Sequence, residues 1–132
     1  MNIFVDTSAI YALLDGGDSN HRKAKEAWSE ALKPENALVT TNYILLESFA
    51  LIQSRLGLDA LRGFQSDIVP LLGVEWIGED VHARAVSALL AASRKSLSLA
   101  DCTSFEVMRA LSLTKALSFD SHFTEQGFSR IP

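Results

Sequence analysis

The chain has 132 residues, 48% of them apolar, with 16 Asp and Glu against 12 Lys and Arg for a formal net charge of −4. That length suits one domain over residues 1–132, with a core that buries roughly two-thirds of the surface the unfolded chain exposes. The acidic balance argues against a protein that simply coats nucleic acid, because phosphate attraction needs Lys and Arg. It still allows an enzyme that grips phosphates through bound cations.

The one cysteine, Cys102, permits no internal disulfide and fits a reducing compartment. It lies in an apolar, helix-like stretch and reads as a buried, inert thiol. No segment approaches the ~20 apolar residues of a membrane helix. The opening Met1-Asn2-Ile3-Phe4-Val5-Asp6 has no basic region, so it is not expected to act as a secretion signal. A soluble, cytoplasmic protein without membrane contact is expected.

Along the chain, Ile3-Phe4-Val5 is a short apolar run that predicts a buried strand. Thr7 and Ser8 open a helix that Asp15-Gly16-Gly17-Asp18 breaks. Ser19 or Asn20 caps a second helix, with Ala24, Ala27, Trp28 and Ala31 on one face, and Pro34 ends it. Ala37–Thr40 reads as the second strand. Asn42 caps a long helix, Tyr43–Leu56, stopped by Gly57, and one helix follows from Asp59 to about Ile68. Val74–Ile77 is the third strand. Asp80 caps a helix to about Ser93, and Ser98 or Asp101 opens another to about Leu113. Lys115–Phe119 and Phe128–Ile131 are the last two strands. Alternating strands and helices predict an α/β fold around a mainly parallel sheet.

In such a sheet, ligands bind beyond the C-terminal strand ends. Asp6 directly follows the first predicted strand and Asp120 the fourth, so both belong to that edge. Asp101 lies in the first turn of its helix, where the dipole favours an anion. Each of these three is also an acceptable helix cap. Glu47 has no capping role. Its neighbours three and four residues away, Tyr43, Ile44, Ala50 and Leu51, are largely apolar, and burying a lone carboxylate there is costly unless a cation compensates it. Four converging acids repel one another and call for cations, and hard oxygen ligands select Mg²⁺ or Mn²⁺ over zinc. His21, His82 and His122 lack metal-ligand spacing and read as surface or capping residues.

Val5-Asp6-Thr7-Ser8, Glu47 at the end of Tyr43-Ile44-Leu45-Leu46-Glu47, Leu97-Ser98-Leu99-Ala100-Asp101-Cys102 and Ser118-Phe119-Asp120-Ser121-His122-Phe123 resemble, in order and spacing, the four motifs of the PIN-domain nucleases. The resemblance covers essentially the whole chain. It implies a three-layer α/β/α sandwich with strand order 3-2-1-4-5. It implies an Mg²⁺- or Mn²⁺-dependent endoribonuclease that cleaves RNA phosphodiesters with metal-activated water, with Asp6, Glu47, Asp101 and Asp120 as catalytic metal ligands. Thr7 or Ser8 would support the site through a hydroxyl or amide. Members of this size are mostly toxins of the VapC type, which implies an RNA substrate, a small antitoxin partner and a homodimer.

Arg22, Lys23, Lys25, Arg94 and Lys95 are candidates for RNA backbone contacts, against the plainer reading of solvated helix surface. Two rival functions stand beside the nuclease: a non-catalytic RNA-binding or regulatory module with a vestigial site, and a metal-dependent phosphatase. A phosphatase of the haloacid-dehalogenase type needs a second Asp two residues after the first, where this chain has Ser8. Neither nucleotide-binding glycine motif occurs.

Overall fold

The computed structural model describes residues 1–132. The apolar run after Asn2 forms β1 (Asn2–Val5), whose Ile3, Phe4 and Val5 are all buried, as a strand covered on both faces requires. Helices α1 (Thr7–Leu14) and α2 (His21–Ala31) lead from it to β2 (Ala37–Thr41). From β2 the chain runs through α3 (Asn42–Leu56) and α4 (Leu58–Gly63) to β3 (Leu72–Glu75). It then returns through α5 (Glu79–Ala92) and α6 (Leu99–Ala110) to β4 (Lys115–Leu117), and ends with α7 (His122–Glu125) and β5 (Ser129–Ile131).

All strand pairs are parallel, in the order β3-β2-β1-β4-β5. Right-handed crossovers put α1–α4 on one face of the sheet and α5–α7 on the other. On the first face α1 packs on α2 and α3, and α3 on α4; on the second, α5 packs on α6. Phe4 points into that second layer, where its ring meets Phe123, which in turn contacts Phe105 and Phe128. Helix α3 also touches α6, so the two helical layers meet past the strand ends. The direction of strand addition reverses at β1, between β2 and β4, which makes its C-terminal end the switch point where open α/β sheets form their crevices. No helix is long and apolar enough to cross a membrane.

Several element ends differ from the sequence expectation, each for a local reason. Helix α3 is capped by Thr41, whose hydroxyl accepts the Ile44 N–H, while the Asn42 side chain accepts the Ile77 N–H instead. The stretch expected as one helix from Asp59 to Ile68 is α4 followed by a wider π turn (Phe64–Ile68), then a tight 3₁₀ turn through Pro70. The third strand lies at Leu72–Glu75 rather than Val74–Ile77, leaving Trp76 73% exposed. Gly78, not Asp80, precedes α5, and no side chain caps it. Strand β4 stops at Leu117, two residues earlier than expected, and β5 starts at Ser129. Cys102 is buried, as expected.

Gly57 ends α3 with φ +91° and ψ −179°, a combination that side chains beyond Gly essentially never adopt. Its N–H closes the helix onto the Ile52 carbonyl. A Cβ there would meet nothing within 4 Å, so the demand is purely one of backbone angle. Gly63, with helical φ −61° and ψ −42°, also has open space around it. The same change should therefore have opposite signs at the two sites. Gly57→Ala is expected to destabilise by about 1–3 kcal/mol, and Gly63→Ala to stabilise by about 0.4–1 kcal/mol, both read from denaturant midpoints.

Candidate active site

The C-terminal end of β1 delivers Asp6 to the switch point, where it is buried at 4% exposure. Its backbone N–H continues the sheet pairing to the Leu117 carbonyl, and its extended φ and ψ make it the N-cap of α1. Its carboxylate is held from two sides. The Ser8 hydroxyl donates to Oδ2 at 2.7 Å and the Ser118 hydroxyl donates to the same oxygen at 3.0 Å, with the Ser8 N–H at 3.4 Å. A hydroxyl has one proton, so both serines have committed theirs to Asp6. Their own oxygens then accept: Ser8 Oγ from the Phe119 N–H at 2.9 Å, and Ser118 Oγ from the Asp120 N–H at 3.0 Å. One small network thus joins the end of β1 to the turn that carries Asp120.

Asp101 sits in the first turn of α6, in a reciprocal cap with Ser98. The Ser98 N–H donates to Asp101 Oδ2 and the Asp101 N–H donates to Ser98 Oγ, both at 3.0 Å. Asp120, three residues past β4, accepts the His122 N–H on Oδ1 at 2.9 Å. In each of the three aspartates, one oxygen is tied within the protein and the other has no protein partner. Capping and a ligand role are therefore compatible here: the cap fixes the carboxylate and leaves an oxygen over.

Glu47 lies on α3, and the expected reason for it fails. It is exposed rather than buried, because α3 buries Ile44, Ser48 and Ile52 instead. Asp6, Glu47, Asp101 and Asp120 together line one pocket of about 500 Å³, with Thr7, Ser8, Ser96 and Ser98 among its walls. No lysine, arginine or histidine lines it.

That absence shows in the acidities. Burial pushes the Asp6 carboxyl up to about 6; the two serine hydroxyls oppose the shift, and the charges of Asp101 and Asp120 add to it. Asp101 is raised as well, chiefly by burial, with the Ser98 hydrogen bonds opposing and the charge of Asp120 adding. The donor set consists of carboxylate oxygens around an excess of negative charge. This fits a hard divalent cation, which would return the buried acids to their ionised form.

Of the two residues expected to support the site, Ser8 donates both its hydroxyl and its amide to Asp6. Thr7 instead fastens α1 to α3: its hydroxyl donates to the Ile44 carbonyl and accepts from Ser48. Ser118, which sequence reasoning assigned no role, is the second clamp on Asp6. Its only signal is a hydroxyl two residues before Asp120 at a strand end.

His122, expected as a surface or capping residue, is buried instead. Its Nε2 faces the Ser96 carbonyl at 3.0 Å and its Nδ1 faces Glu125 at 3.1 Å, and the Glu125 contact is the main reason its pKa is raised. A ligating nitrogen of His122 lies within 4.8 Å of carboxylate oxygens of Asp101 and Asp120, yet both nitrogens are engaged elsewhere. Among the RNA-contact candidates, Arg22 pairs with Glu26 and Arg94 with Glu125, while Lys23, Lys25 and Lys95 are exposed. None of the five lines the pocket.

Residues 3–129 match the family model described as the PIN domain. The chain is 34% identical over 130 residues to the 23S rRNA-specific endonuclease VapC20 of Mycobacterium tuberculosis, covering 98% of this chain and 97% of that one. The crystal structure of that protein, described as a sarcin–ricin loop cleaving toxin, superposes with a TM-score of 0.85 over 96% of this chain and 95% of its own. FitAcB from Neisseria gonorrhoeae shares the fold at a TM-score of 0.70 and 16% identity, over 100% of this chain and 97% of that one. The strand order, the pocket at its switch point and the match over nearly the whole length agree: this chain belongs to the PIN-domain family.

Proposed function

We propose that this protein is a divalent-metal-dependent endoribonuclease, the toxin of a toxin–antitoxin pair, acting on a structured loop of ribosomal RNA. The observation that carries the nuclease reading is a pocket lined by four carboxylates and no basic side chain. The substrate class rests on the 34% identity to an endonuclease specific for 23S rRNA. Mg²⁺ or Mn²⁺ is the ion that suits all-oxygen ligands. Assembly as a homodimer with a small protein antitoxin is part of the same proposal, by likeness to the VapC type.

The roles follow from which oxygens are free. Asp6, Asp101 and Asp120 each offer the cation one oxygen that no protein donor occupies. Glu47, exposed on the α3 wall, closes the set from the solvent side. When bound, the ion supplies the positive charge that acidifies an attacking water and offsets charge developing on the phosphate. Ser8 and Ser118 keep Asp6 fixed as the ion and the RNA arrive. Because hydroxyls and backbone amides hold the acids, no lysine or arginine in the pocket competes with the cation for them.

Two outcomes test this reading. Asp6→Asn should abolish Mg²⁺- or Mn²⁺-dependent RNA cleavage, a loss of more than about 100-fold on the scale of removing a charge-stabilising group. Cleavage by wild type that persists in excess EDTA would sink the metal role.

The second outcome is a stability measurement. The Asp6 carboxyl lies at about 6 in the fold against 3.8 for the ordinary group, so the folded state binds this proton more tightly than the unfolded state does. The metal-free fold should therefore lose stability as pH rises from about 4 through about 6, and stay at the lower value above that. The raised Asp101 has the same sign. At pH 8 in EDTA, Asp6→Asn should be more stable than wild type, with a ceiling of about 2–3 kcal/mol from the size of the shift. Adding Mn²⁺ should raise the wild-type melting temperature and leave that of Asp6→Asn unchanged.

A further inference from the structure

The turn from Ser93 to Ser98 joins α5 to α6 and forms one rim of the carboxylate pocket through Ser96 and Ser98. It begins at Ser93 in the left-handed region, with φ 53°, and anchors Leu97 in the core. Short turns of this kind have little internal hydrogen bonding; the Leu97 N–H to the Arg94 carbonyl is the one bond that closes it on itself. What holds it to the rest of the site comes from α7. His122 Nε2 donates to the Ser96 carbonyl at 3.0 Å. Glu125 Oε2 receives both His122 Nδ1 at 3.1 Å and Arg94 Nη1 at 2.8 Å. The turn is therefore gripped at two points, Arg94 and Ser96, by one turn of helix.

The other end of His122 faces Asp120, because its backbone N–H donates to Asp120 Oδ1 at 2.9 Å. Two residues beyond Ser96, Ser98 caps Asp101 by two hydrogen bonds. Asp101 and Asp120 come from different elements and share no hydrogen bond; His122 bonds Asp120 directly and reaches the Asp101 side through the Ser96 carbonyl, two residues before the Ser98 cap. We propose that His122, Glu125 and Arg94 form a positioning latch that sets the spacing of Asp101 and Asp120, and through it the affinity of the pocket for its divalent ion. This rests on the nuclease reading above. It also assigns Arg94 a task other than the RNA contact suggested by its sequence.

Arg94 and Glu125 are each nearly half exposed, so breaking their pair costs the fold little. Outer-shell partners of metal ligands typically change metal affinity by 10–100-fold. Arg94→Ala and Glu125→Gln should each weaken Mn²⁺ binding, counted without RNA by the electron paramagnetic resonance of free Mn²⁺, by about 10-fold. Their melting temperatures in EDTA should stay at the wild-type value. Only one guanidinium nitrogen meets Glu125, so no fork is needed and Arg94→Lys should restore Mn²⁺ affinity to within about 3-fold of wild type. At saturating Mn²⁺, the KM for RNA should be unchanged in all three variants. Mn²⁺ affinity that stays at the wild-type value in Arg94→Ala and Glu125→Gln overturns the latch, and a raised KM in Arg94→Ala alone returns that residue to the RNA-contact role.

A metal-free arm separates this from the nuclease reading. In EDTA, hydrogen exchange at the Ser98 and Asp101 amides should quicken in Glu125→Gln. Unchanged exchange overturns the latch even if the wild type proves to be a metal nuclease. Quickened exchange in a wild-type background that binds no Mn²⁺ overturns the nuclease reading, and with it the latch's effect on ion affinity.

Discussion

The pocket depends on one carboxylate, that of Asp6, being held in the interior with no basic side chain beside it. Desolvation is the largest influence on it, and the two serine hydroxyls that converge on Oδ2 only partly offset that cost. Much of the surrounding architecture can be read as the means of keeping it there. Burying Ile3, Phe4 and Val5 on both faces fixes the strand that delivers it, and the Asp6–Leu117 backbone bond fixes its height on the sheet. Ser118 then passes the same restraint to Asp120. A site that is unfavourable in itself has to be imposed by the fold around it, and here the imposing elements are the two central strands.

The helices contribute in a complementary way. Helices α3 and α6 come from opposite faces of the sheet, and where they meet they form walls of the crevice. Thr7 ties α1 to α3 through the Ile44 carbonyl and Ser48, so the wall that carries Glu47 is referenced to the same turn as Asp6. Three of the acids are held by hydrogen bonds, and Glu47 projects from an exposed helix face.

How much of this is legible in the sequence depends on the range of the interaction. An apolar run followed at once by Asp identifies β1 with Asp6, and a similar run points to β4 although that strand stops three residues short of Asp120, because burial and strand polarity are local properties of the chain. The reciprocal cap of Ser98 and Asp101 is equally local, at a separation of three residues. Strand order is not written in periodicity; it entered through the resemblance of the four motifs to a known family. Glu47 lines the pocket although the burial expected of it fails, since an apolar-looking helix face can still be the open one when the core takes the neighbouring stripe of Ile44, Ser48 and Ile52. Ser118 was missed because its partner lies 112 residues away. His122 was misread as surface because the carbonyl that accepts its ring proton is 26 residues away. The π turn after α4 left no mark at all in the apolar pattern.

The separation of Asp6 from Ser118 has a consequence for how the protein comes into being. A ribosome that has added Asp6 must go 112 residues further before Ser118 exists to lie beside it. Until then Asp6 has neither its second hydroxyl nor Asp120 across from it. Contacts of such long range form late, because the intervening loop must close before they repay its entropy. The crevice therefore stays incomplete until β4 and the turn after it have been made and can reach β1, long after Asp6 itself has been added.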